Sequence, residues 1–320
     1  MRYLLVLLLL LLIQPALASD VPGAWKREFP KADFSRSSID VNEIMSGGPP
    51  RDGIPAIDTP SFVLAKNYSL PATEPVVGVH LNGQFRAYPV RVLTWHEIVN
   101  DTINGTPIAV TFCPLCNAAI VFGRRLGGRV LDFGTTGKLR NSDLVMYDRQ
   151  TESFWQQAIG TAIMGQLTGR ELPVIPARLE SWKNFRARAD ATALVLVPTD
   201  PSARQYGTNP YANYDEASLP FLYNGDMPKG IAPMARVVST PDRKYAYSLD
   251  KIRKDQRVAA PDGTVFSWTA GQNSALNNRV IARGKDVGNV VAKRKGRDVP
   301  YFIEFAFVFH AFSPDALIHQ

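Results

Sequence analysis

The chain has 320 residues, 45% hydrophobic and 20% charged, and 36 lysines and arginines against 29 acidic residues give a net charge of +7. That balance excludes a disordered polyelectrolyte, and the length supports an ample hydrophobic core without covalent staples. Two cysteines and four histidines exclude a disulfide-dense scaffold and any four-cysteine metal site.

Residues 1–18, MRYLLVLLLLLLIQPALA, set Arg2 ahead of an apolar run from Leu4 to Ile13 and finish on Ala16-Leu17-Ala18. That is the pattern of a secretory signal peptide. The run falls short of the roughly 20 residues of a membrane span, so the expected product is exported, periplasmic or secreted, begins near Ser19 and has no membrane span. Removing Arg2 with the leader leaves 35 basic against 29 acidic residues, a net +6. Much of the excess lies in Arg279, Arg283, Lys285, Lys293, Arg294, Lys295 and Arg297. It reads either as a solvated loop face or as attraction to an anionic envelope surface. Without aromatic interleaving or a nucleic-acid motif, it does not read as a nucleic-acid site.

Residues 19–71, rich in Gly, Pro, Asp and Ser, read as an extended N-terminal arm. Residues 72–200 form a first β-rich unit. VVGVHLNGQFRAYPV predicts a hairpin about Asn82-Gly83. In VRVLTWHEIVND, Val92, Trp95 and Val99 share one helical face, which predicts a short helix ended by Asn104-Gly105. PIAVTF, AAIVFGRRLGGRVLDFG and DLVMYD then predict strands. Residues 201–229, rich in Tyr, Asn and Gly, read as a connecting or cleft-lining loop, and 230–320 as a second β-rich unit. RAYPVRVL resembles YAYSLDKI, NGTPIAVTF resembles DGTVFSW, and ATALVL resembles PDALIH. The expected fold is therefore mainly β with a few short helices (α+β), in two related β-rich units, the second degenerate and without the Cys/His motif.

The chemistry-bearing feature of the first unit is TFCPLCNAAIVF, with Cys113 and Cys116. Thiols of an exported protein are disulfide-bonded, metal-bound or kept reduced by a redox partner. A thioredoxin-type couple needs its first cysteine at a helix N-terminus, whereas Asn117 to Phe122 favours a strand. The alternative is a knuckle between two strands that aims both sulfurs at one ion, with Asn117 accepting the left-handed backbone. Two sulfurs leave a tetrahedral site incomplete, and His96 is the leading third ligand, ahead of His80 and His310, with a buried histidine satisfied by a backbone carbonyl as the other reading of His96. Glu97 and Asn100 are candidates to orient the ring or to ligate. Thiolate with imidazole suits one copper or zinc ion. Asp148 and Glu152 are candidate paired carboxylates, with turn formation and an Arg149 ion pair as the plainer reading. Arg140, Asn141, Asp143, Asp148, Arg149, Glu152, Trp155 and Gln156 make a dense polar and aromatic run suited to lining a cleft.

MSGGPPRDGIPAID, WHEIVND, TFCPLCNAAIVF, LRNSDLVMYDRQTESFWQQ and GQLTGREL, in this order between Ile44 and Leu196, resemble Domain of Unknown Function family 3179. The resemblance implies that WHEIVND and CPLCN belong to the family pattern, and it carries no activity across. Two readings stand: a soft-metal (copper or zinc) or thiol-redox site at CPLC, and a non-enzymatic binding or envelope-associated scaffold with an inert disulfide.

Overall fold

Asn82 and Gly83 both lie at positive φ, the backbone of a tight hairpin turn, and they join Pro75–Leu81 to Gln84–Pro89 in antiparallel register. This geometry comes from a computed structural model that describes residues 21–320, so the leader expected over 1–18 lies outside the described residues. Among those residues no helix is long and apolar enough to cross a membrane.

Pro89 fixes the entry to a helix over Val90–His96, which buries Val90, Val92 and Leu93. The helix is shorter than its periodicity predicted. It stops at Glu97, whose φ is 58°, and Ile98–Ile103 continues as a strand. The reason is local: Ile98, Val99 and Ile103 favour extended backbone, and Asn104-Gly105 forms the hairpin turn to Thr106–Cys113 rather than a helix end. Ala118–Gly123 completes this three-stranded sheet.

A five-stranded sheet orders Ile44–Ser46, Phe133–Arg140, Asp143–Asp148, Phe154–Gln156 and Thr161–Met164. Another orders Ala177–Ser181, Pro75–Leu81, Gln84–Pro89, Leu194–Val197 and Ser61–Leu64. The residues read as an extended arm thus supply edge strands to both, and Phe29 of the same stretch packs edge-on to Tyr147 and Phe154. The later part of the chain makes two four-stranded sheets. One orders Phe302–Phe305, Arg236–Ser239, Tyr245–Ser248 and Leu317–His319. The other orders Arg257–Ala259, Val265–Thr269, Asn289–Arg294 and Arg297–Asp298.

The fold is mainly β with a few short helices, and its five larger sheets are arranged as a five-bladed β-propeller, not as two units. Packing explains the correction. One core joins Ile98, Phe133 and Trp155 to Met234, Phe305 and Phe307, and a second joins Val77, Tyr88 and Val110 to Ala275 and Ile281. Apolar surface from both parts of the chain leaves water together in these two cores, beside smaller clusters that lie within one part, so the two parts are packed as one body.

Candidate metal centre

The strand Thr106–Cys113 runs into a single 3₁₀ turn, Pro114–Cys116, and Asn117 reverses the chain at φ 53° and ψ 29° into Ala118–Gly123. This is the strand–knuckle–strand form expected from CPLCN. Proline supplies the fixed φ of the turn and asparagine tolerates the left-handed position. The turn brings the Cys113 and Cys116 sulfurs into contact at 2.7 Å, and both residues are buried.

Facing them is the hairpin between Phe133–Arg140 and Asp143–Asp148. Its two turn residues, Asn141 and Ser142, have φ of 53° and 64°. A turn of this kind prefers glycine in its second place; here a buried serine occupies it. The consequence is positional. The Ser142 carbonyl oxygen accepts from both thiols, at 3.8 and 3.6 Å, and Asp143 enters the core beside them. Cys116 Sγ lies 3.1 Å from Asp143 Oδ2, while Asp143 Oδ1 accepts from Gln156 Nε2 at 2.6 Å and from the Ala158 amide at 2.9 Å. Two donors on the far oxygen orient the near one towards sulfur, as outer-shell partners orient metal-ligating carboxylates. Ligand atoms of Cys113, Cys116 and Asp143 all lie within 4.8 Å of one another, close enough to share one ion.

Glu97 completes the group electrostatically. It is 7% exposed, no hydrogen bond from a described residue reaches its carboxylate, and burial followed by the charge of Asp143 pushes its pKa up to about 8. Burial also raises Asp143, against the hydrogen bonds from Gln156 and Ala158. Cys113 is raised by burial, and further by Asp143 and Glu97; Cys116 is raised well above the usual thiol range, by burial first and then by Cys113 and Asp143. Every shift has the same origin: four groups that become anionic on losing a proton share one dry site. Arg243 is nearby, but it is ion-paired to buried Glu304 at 2.8 Å.

The connecting segment closes the site. Tyr211 and Tyr214 pack against the core that holds the cysteines, and the hydroxyl pKa of each is raised by burial and by charges of the centre. Backbone amides of Asn213 and Tyr214 donate to Asn277 and Leu276, and Asp215 meets Arg236 and Ser274 in a buried cluster.

The other residues singled out by sequence lie elsewhere. His96 is not brought to the sulfurs: Nδ1 contacts the Pro55 carbonyl and Nε2 the Tyr206 hydroxyl, each at 2.8 Å. A carbonyl accepts only from N–H, so Nδ1 carries the proton and Nε2 accepts from tyrosine. Burial lowers the His96 pKa. His80 stacks on Phe85 at an exposed hairpin, and His310 lies on the helix Ala306–Phe312. Asn100 bridges Asp58 and the Phe133 backbone. Asp148 accepts from Thr151 and from Trp155 Nε1, while Glu152 pairs with Arg51 and accepts from the Lys31 amide. Arg149 pairs with Asp52 and Asp58 instead. Asp143, the residue that does meet the thiols, stood unassigned within the dense polar run. Its signal was a carboxylate placed directly after a turn and before the wholly apolar LVMY.

The model of the family described as "Protein of unknown function (DUF3179)" matches residues 51–316, and the chain belongs to that family. The match runs through both sets of sheets. No curated protein and no solved structure matches the chain.

Proposed function

We propose that this protein is an exported metal-binding protein whose centre is Cys113, Cys116 and Asp143, with the buried carboxylate of Glu97 coupled to it by charge. The observation that carries the reading is the buried convergence of two thiols and a carboxylate on one point. Four ionised groups there, with Arg243 already committed to Glu304, are costly to bury, and a divalent cation removes that cost. Two sulfurs and carboxylate oxygen suit zinc, a borderline ion; copper(I) prefers softer donors than a carboxylate. Three protein donors leave a tetrahedral zinc one position for a further ligand. Metal content by mass spectrometry, on mature protein purified without chelator or histidine tag, tests this. Near-stoichiometric zinc, lost in Cys113→Ser and Asp143→Asn, supports it; no metal in the wild type overturns it.

The contact between the two sulfurs favours a second reading, a dithiol that closes to a disulfide outside the cytoplasm. The raised thiols and the lack of a helix N-terminus at Cys113 weigh against a fast redox couple. A free-thiol count separates the two: no metal and no free thiol would select the disulfide.

We also infer a common ancestry for parts of the two halves. Pro75–Leu81 and Arg236–Ser239 each begin a hairpin whose first strand pairs antiparallel with a later strand and whose second strand pairs in parallel with a later one. Arg86 to Tyr88 and Tyr245 to Tyr247 occupy matching places, and each hairpin leads into a seven-residue helix.

A further inference from the structure

Ser142 touches two things at once, and this leads to the route into the centre. Its carbonyl oxygen faces both sulfurs, and its side-chain hydroxyl donates to the Phe221 carbonyl at 2.7 Å. The Phe221 amide donates in turn to the Tyr214 hydroxyl at 3.2 Å. One residue of the connecting segment is therefore gripped at both of its backbone polar groups. Its side chain does not help to hold it, being 58% exposed beside Leu219 at 61%. The following residue, Leu222, sits at φ 52°, a conformation a leucine leaves readily when its neighbours let go. On the amino-terminal side the segment is fixed differently. Asn209, Asn213 and Tyr214 are tied to the 276–279 backbone, and Asp215 is ion-paired to buried Arg236. Tyr211 and Tyr214 thus belong to a fixed wall, and residues 217–226 form a flap beyond it.

We infer that residues 217–226 are the gate of the Cys113–Cys116–Asp143 centre and that Ser142 is its clasp. The inference deepens the metal-binding reading by naming the entrance, and it rests on that reading only for what passes through. It also accounts for a serine at a positive-φ turn position where glycine is less strained: the hydroxyl is needed for the grip. Opening the flap needs the two Phe221 hydrogen bonds broken and buried Tyr223, whose ring lies 5.0 Å from that of Phe307, withdrawn from the core, while the sheets stay intact, so it is a local event below global unfolding.

The test is the rate at which a soluble aromatic disulfide reagent modifies the thiols of metal-free, reduced, full-length mature protein. Ser142→Gly keeps the turn and removes the clasp; Tyr214→Phe removes the second grip and leaves Ser142 in place. Each is expected to react about two- to tenfold faster than wild type, the loss of one hydrogen bond, part-buried at Ser142 and exposed at Tyr214, with urea stability held or, for Ser142→Gly, raised. Wild-type rates in both variants overturn the gate. Acceleration that only follows a fall in global stability also overturns it, because the thiols would then be reached by unfolding. A wild type that binds no metal but shows these rates would sink the metal reading and leave the gate standing.

Discussion

Metal-free protein should lose stability as pH rises, and Glu97 sets the scale. Its carboxyl is moved from 4.5 up to about 8, by burial and then by Asp143. Below pH 4.5 the group is protonated in both the folded and the unfolded chain, and its contribution is fully present. Above that, the unfolded chain releases the proton while the folded chain keeps it, so stability falls through the window and is lost as pH passes about 8. Each pH unit corresponds to about 1.4 kcal/mol, so the whole traverse is on the order of 4–5 kcal/mol. Asp143, raised by burial as well, acts in the same direction. Glu97→Gln keeps the shape and removes this titration. Urea unfolding with chelator and reductant, at about pH 5 and about pH 8, should show a wild type several kcal/mol weaker at the higher pH and a much flatter variant. Equal wild-type stability at both ends, or an unchanged slope in Glu97→Gln, would refute the reasoning. Added zinc should reverse the slope, because its ligands bind deprotonated.

His96→Ala should leave metal stoichiometry unchanged by mass spectrometry while costing about 1–3 kcal/mol in urea, since Pro55 and Tyr206 lose their partner. Arg243→Met should cost about 3–5 kcal/mol by leaving Glu304 buried without its cation, and Glu304→Leu in the same chain should recover most of it in thermal unfolding. Asn117→Gly should change stability by less than about 1 kcal/mol, whereas Asn117→Val should cost more than that and lower metal content, because a β-branched residue resists φ 53°.

The local parts of the fold were legible where the residues carry their own geometry. Asn82-Gly83 named a hairpin, and CPLCN named a knuckle with asparagine left-handed. The helix after Pro89 was legible in place but not in length, since Val99 satisfies a helical face and a buried strand equally well. The centre was half legible. Cysteine spacing is a local property, but a third donor is brought in by non-local pairing, and histidine drew the assignment because imidazole is the common companion of thiolate. Asp143 reaches the sulfurs through a hairpin of a different sheet, and nothing near Cys116 in sequence marks it. The blade arrangement was hidden for the same reason. Short β-rich segments reveal their alternation but not which cores they share, and here Phe305 and Phe307 enclose cysteines nearly two hundred positions earlier.

One comparison inside the chain separates frame from site. Glu97 follows the helix Val90–His96 at φ 58°, and Gln256 follows the helix Leu249–Asp255 at the same φ, each before a short strand. The left-handed backbone at Glu97 is therefore a property of the helix-to-strand joint and is not by itself a sign of function. What differs is the side chain and its surroundings. Gln256 is exposed and donates to the Arg253 carbonyl, the ordinary fate of a polar residue after a helix. Glu97 is buried, coupled by charge to Cys113 and Asp143, and without a hydrogen bond from a described residue. Glutamine at position 97 would fit the joint without adding a buried charge, so the charge belongs to the cysteines and to the cation they are proposed to hold. Glu97→Gln is accordingly expected to weaken zinc while strengthening the empty fold above neutral pH, two opposite shifts that a purely structural residue would not produce together.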